Sequence, residues 1–169
     1  MIKKTIYILT ILLFLLVFSL STIKISSEPI ITNTTIVQKE EIGKIIINKI
    51  NLKRNLYDIN SPENNVEKNI TILKESIPPT EKESIMILAA HSGTGKIAYF
   101  NELDKLELND SIILLYKNKK YIYIVKNIWE EEKNGYISFN KEKRKQLILT
   151  TCSPTNNKKQ LIISCIENI

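Results

Sequence analysis

Short apolar runs, cut at close intervals by polar turns, fill the chain from Lys44 onward. Runs of four to eight residues rich in Ile, Val, Tyr and Thr and bounded by turn residues read as strands. The pattern predicts a first strand over Lys44–Ile50, a second over Arg54–Ile59 and a third over Asn69–Leu73. Pro78-Pro79 breaks the chain before a fourth strand at Ser84–His91, and Ser92-Gly93-Thr94-Gly95 is a loop whose backbone can approach a ligand. Ala98–Leu106 reads as a short helix. Ile112–Tyr116 and Tyr121–Trp129 follow as strands five and six, joined by a tight turn; in the latter Tyr121, Tyr123 and Val125 alternate with Ile122 and Ile124. A charged connector, Glu130–Lys145, leads to a seventh strand, Gln146–Cys152, and a polar loop leads to the last, Gln160–Ile166. Many short strands with little helix predict an all-β barrel or sandwich.

The N-terminus follows a different pattern. After the basic start Met1-Ile2-Lys3-Lys4, Thr5 to Ile23 is apolar and uncharged, close to the roughly 20 residues that span a bilayer as a helix. Lysines before it predict the N-terminus inside and the following domain outside the cell. A cleaved signal peptide is the alternative, but no small-x-small cleavage site follows and the run is long for one. The expected organisation is a signal-anchor transmembrane helix over residues 1–25, a Ser/Thr-rich linker over 26–41, and one domain over 42–169.

Charge changes this picture little. The net charge of +6 comes from lysines scattered along the chain, with no basic segment interleaved with aromatics. A solvated basic surface is the reading, with no nucleic-acid partner; such a surface suits work beside anionic lipid and wall polymer. Two cysteines in 169 residues cannot form a disulfide framework, and Cys/His zinc spacing is absent. The run Glu130-Glu131-Glu132 reads as a solvated turn rather than a calcium site. No cofactor and no metal is expected.

Candidate chemistry rests on scarcity. Cys152 ends an apolar strand, with Ser153-Pro154 immediately after it. The chain's one histidine, His91, ends another, Ile85–Ala90. A thiol at a strand's rim beside an imidazole has the parts of a nucleophile and its acid–base partner. A free thiol with a pKa of about 8.5 supplies little thiolate at neutral pH, so the partner matters. Cys165 closes the last apolar run and reads as a small core residue.

These segments resemble the sortases, the cell-surface cysteine transpeptidases of Gram-positive bacteria. The family's active-site strand, Thr-Leu-x-Thr-Cys, is similar to Ile148-Leu149-Thr150-Thr151-Cys152, and its histidine segment, Leu-Ala-x-His, to Leu88-Ala89-Ala90-His91. Ile42-Gly43-Lys44-Ile45 resembles the domain's start. Phe100, Leu103 and Leu106, Asn109-Asp110 and the Tyr121-Tyr123-Val125 strand resemble its middle. One position departs. The family carries an arginine on the strand after the cysteine, and Gln160 stands there.

The resemblance implies a closed eight-stranded β-barrel behind a membrane anchor. It implies cleavage of an LPXTG-like sorting signal through an acyl-thioester on Cys152, with His91 as acid and base. The partners are then surface proteins bearing the signal and an amine of a cell-wall precursor or pilin. Gln160 would offer the oxyanion a neutral hydrogen bond, at part of the cost of losing a donor, or serve only as a strand residue. Ala90, Ser92 and Thr151 would lie beside the substrate. The missing arginine leaves a second reading, a catalytically impaired barrel acting as a binding or assembly factor. A papain-like wall endopeptidase fits poorly, because its cysteine precedes its histidine and starts a helix.

Overall fold

The computed structural model describes residues 40–168. The apolar run Thr5–Ile23 and the linker after it lie outside the described residues, and no helix among the described residues is long and apolar enough to cross a membrane. Eight strands are present: β1 (Glu41–Ile47), β2 (Leu52–Tyr57), β3 (Thr71–Ile72), β4 (Ile85–Ala89), β5 (Ser111–Tyr116), β6 (Lys119–Glu132), β7 (Gln146–Cys152) and β8 (Lys159–Glu167). They form one sheet in the order β2-β1-β5-β6-β8-β7-β4-β3. Neighbours are antiparallel except β4 and β7, which run parallel with Ile85 opposite Gln146 and Ala89 opposite Thr150.

The sheet curls until its edges, β2 and β3, bring Cα atoms within 8 Å of each other, but no ladder joins them. The barrel is therefore nearly closed, not closed as expected. β3 is too short to continue the ladder. Moreover, the side-chain amide of Asn64 accepts from the Ile72 N–H at 2.7 Å and donates to the Ile72 carbonyl at 3.0 Å. A side chain thus caps the hydrogen-bonding edge that β2 would otherwise fill.

Two apolar layers follow from the side-chain alternation. The barrel interior holds Ile45, Leu88, Tyr123, Val125, Leu147, Leu149, Ile163 and Cys165, with Phe100, Leu103 and Leu106 plugging it. A smaller cluster, Ile85, Ile87, Ile148 and Ile162, lies on the other face, covered by Trp129 and by Ile137 and Phe139 of the connector between β6 and β7. This double burial explains why β4 and β7 read as unbroken apolar runs: strands packed on both faces have no polar side to show.

The first expected strand, Lys44–Ile50, gives way after Ile47 to a 3₁₀ turn, Asn48–Ile50, and two further expected elements differ in kind. Ala98–Leu106 is not an α-helix but turns leading into a 3₁₀ helix, Leu103–Lys105. Its buried residues stand three apart, and the Leu103 N–H bonds to Phe100 and the Leu106 N–H to Leu103, the i to i−3 pattern of three residues per turn. The acidic run Glu130–Glu132 is no solvated turn but the end of β6, paired with Leu161, Gln160 and Lys159 of β8. The ladder overrides the poor strand propensity of the glutamates.

Candidate active site

The site begins with the parallel pairing of β4 and β7. Parallel neighbours end at the same edge of a sheet, so the residues that follow Ala89 and Thr150 leave the barrel together. Three bonds tie these exits to each other. The Ala90 N–H donates to the Thr150 carbonyl at 3.3 Å, the Thr151 hydroxyl to the Ala90 carbonyl at 2.8 Å, and the Ser92 hydroxyl to the Cys152 carbonyl at 2.9 Å. Ala90, Ser92 and Thr151 thus link the segment carrying His91 to the end of β7. Thr151 is buried, and its hydroxyl is taken up by this bond between strand ends.

Beyond Cys152 the chain turns at once. The Ser153 hydroxyl donates to Glu130 Oε1 at 2.6 Å and accepts the backbone N–H groups of Thr155 and Asn156 at 3.2 and 3.1 Å. A serine followed by proline is suited to this, since it satisfies the turn's backbone while proline stops the strand. Cys152 is therefore held at the last rung of β7, opposite Gln160 of β8. Its sulfur faces a cleft of about 340 Å³, which Ser92, Gly93, Asn101, Asp104, Lys133 and Asn157 also line. A larger cleft, about 770 Å³, lies beside β6 and β8 near Ile137 and Phe139 and contains neither thiol nor imidazole.

The polar partners are specific. The Lys133 ammonium donates to Cys152 Sγ at 3.1 Å and to the Asn157 carbonyl at 2.8 Å. His91 is partly exposed, and its Nε2 lies 3.1 Å from Glu67 Oε1. The Gln160 amide donates its N–H groups to Glu131 Oε1 at 2.9 Å and the Tyr136 carbonyl at 2.6 Å. Burial works against the charge on Glu131. Hydrogen bonds from Ser138 and Gln160 outweigh it and hold the carboxyl below the usual range. Both cysteines are free thiols. Among the described residues no group of His, Cys, Asp and Glu could hold a metal ion.

The strand ends thus gather Ala90, His91, Ser92, Thr151, Cys152 and Gln160 along one edge, with Gln160 turned toward the connector. Lys133, Glu67 and Glu130 were not legible in the sequence. Lys133 and Glu130 sit in a charged stretch that looks like any solvated connector, and Glu67 lies in a turn-rich segment without strand pattern.

The family model of the Sortase domain matches residues 45–167, well over half of the chain. The chain belongs to the sortase family. Solved structures agree in fold. Sortase C1 from Streptococcus agalactiae is 26% identical, with a TM-score of 0.66 over 76% of this chain and 68% of that one. Sortase C of Streptococcus pneumoniae is 22% identical, with a TM-score of 0.67 over 77% of this chain and 70% of its own. A lid mutant of sortase A from Corynebacterium diphtheriae is 19% identical, with a TM-score of 0.69 over 81% and 75%. Among curated proteins none matches the chain by sequence.

Proposed function

We propose that this sortase-family chain is a membrane-anchored cysteine transpeptidase acting on the outer side of the cell membrane. The observation that supports the reading is the parallel β4–β7 pair, because it brings the backbone of the segments that carry His91 and the partly exposed Cys152 to one rim. The Cys152 sulfur, as thiolate, attacks the carbonyl carbon of the Thr–Gly bond in an LPXTG-like signal. A C–S bond forms and the carbonyl π pair moves onto oxygen. As the oxyanion collapses, the C–N bond breaks and protonated His91 gives its proton to the departing amine. A thioester remains on Cys152. An amine from a wall precursor or pilin then attacks, His91 takes its proton, and the C–S bond breaks to release the new amide.

Glu67 Oε1, 3.1 Å from His91 Nε2, would accept a hydrogen bond from the imidazolium present before acylation and again after the incoming amine is deprotonated. The connector over 133–145 and the turn after Ser153 border the approach to the sulfur, so both would shape the choice of signal.

The test is direct. Full-length protein in detergent is incubated with an LPXTG-type peptide and weighed intact. The reading expects a mass gain equal to the acyl fragment, located on Cys152 and discharged by added amine. No adduct with a folded protein overturns it.

One observation favours a second reading, a barrel that binds sorting signals without cutting them. Gln160, at the position of the family's arginine, spends its amide N–H groups on Glu131 and Tyr136. Saturable peptide binding with no thioester would establish that reading.

A further inference from the structure

We propose that Lys133 is a catalytic residue of this site, supplying the positive charge that stabilises sulfur and oxyanion during acyl transfer. The inference rests on the transpeptidase reading above. Negative charge appears twice in that reaction, on the attacking sulfur and then on the carbonyl oxygen bonded to the carbon under attack. A cation serves best when its position is fixed before the reaction starts.

Lys133 meets that condition through its backbone. Its N–H donates to the Lys158 carbonyl at 2.9 Å, extending the β6–β8 ladder one step past the Glu132–Lys159 pair. The Cα is thereby held at the rim, with β8 between it and β7. From there the side chain reaches the cleft. Asn157, in the turn after Cys152, accepts one ammonium hydrogen at 2.8 Å, and Cys152 Sγ lies 3.1 Å from the same nitrogen. An ammonium carries three donors. With one on Asn157 and one on sulfur, a third remains to follow the charge onto the oxyanion.

Gln160 sharpens the assignment. It stands directly opposite Cys152 across the β7–β8 ladder, where a cationic side chain would have the shortest path to the sulfur. Its neutral amide is instead committed to Glu131 and Tyr136, which fixes the start of the connector that carries Lys133. The charge thus comes from β6 and the connector rather than from β8, and Gln160 helps hold the segment that delivers it.

Lys133 is exposed in the free protein, so its pull on the sulfur there is screened by water. A bound peptide would cover the cleft and lower the local dielectric, making the same charge worth more. The two regimes give two readouts. Lys133→Met should slow alkylation of Cys152 by iodoacetamide a few-fold. The same variant should slow thioester formation with the peptide more, on the order of tenfold to a hundredfold. Lys133→Arg should retain most of both rates. Lys141→Met removes the same charge from the same connector without a bond to sulfur, and should change neither.

Lys133→Met acylating at the wild-type rate overturns the inference while leaving the transpeptidase reading intact. If the wild-type protein forms no thioester, the reading fails and the catalytic role of Lys133 falls with it; alkylation then reports only on the Lys133–Cys152 contact.

Discussion

The rim around Cys152 and the interior around Cys165 hold the same functional group on neighbouring strands. Cys165 is fully buried within β8, paired with Val125 on one side and Leu147 on the other and facing the apolar barrel interior. Burial pushes its thiol well above the ordinary cysteine range. It is packed among apolar side chains, with no ionic partner among the described residues, so it acts as a small apolar side chain. Cys152 stands where the ladder ends. There the backbone groups that the sheet no longer pairs are taken up by Ser92, Ser153 and the turn, and Lys133 comes within hydrogen-bond distance of sulfur. The difference lies in position along a strand. A residue paired on both sides and facing the barrel is sealed in the core, whereas the last residue of a strand meets loops that can carry charge and admit a ligand.

The sharpest way to break this contrast is to remove each sulfur separately. Cys152→Ala should abolish thioester formation, whereas Cys165→Ser should leave the rate per folded molecule unchanged. Loss of acylation in both variants would mean that the interior thiol takes part, and the contrast would fail. The next largest effect is expected at His91. Removing a general acid–base group costs about a hundredfold to ten-thousandfold. His91→Ala should therefore show that loss in acyl transfer to an added amine, followed by mass spectrometry. A change of less than tenfold would remove the imidazole from the proton path.

Much of this rim was legible in the residues. Gln146–Cys152 has the limits expected of it, and Tyr121, Tyr123 and Val125 point inward as their alternation implies. Both strands that lead to the thiol and the imidazole were visible, because apolar runs stopped by turn residues depend on local chemistry alone, although β4 ends at Ala89, two residues before His91. Three features were not legible, and all depend on partners distant in the chain. The parallel registration of β4 with β7 is a tertiary choice. The extension of β6 through Glu130–Glu132 needs β8 alongside to make carboxylates acceptable in a strand. The Lys133–Cys152 contact needs both, since it spans β8. The gap between β2 and β3 was hidden for a related reason: an asparagine side chain does the work of a strand.

A smaller effect separates the regions by stability instead of rate. Cys165→Ser places a hydroxyl among Leu147, Val125 and other apolar neighbours. Burying an unpartnered hydroxyl costs about 1–3 kcal/mol, so denaturant unfolding should shift to lower midpoint while acylation by the folded fraction stays constant. An unshifted midpoint would show that polar partners reach the interior.

The smallest effect tests that same point in the opposite direction. The Tyr123 hydroxyl is buried in the barrel with no hydrogen-bond partner among the described residues. Burial, first of all, holds the phenol above its usual range. A stranded hydroxyl has lost its water without a replacement, so deleting it while keeping the ring removes a cost and little else. Tyr123→Phe should therefore leave stability unchanged or raise it by up to about 1 kcal/mol, with acylation untouched. A loss of more than about 1 kcal/mol would mean that the hydroxyl is satisfied in solution. A polar path would then run through the barrel beside Cys165, and the interior could no longer be set against the rim as the place where sulfur has no chemistry.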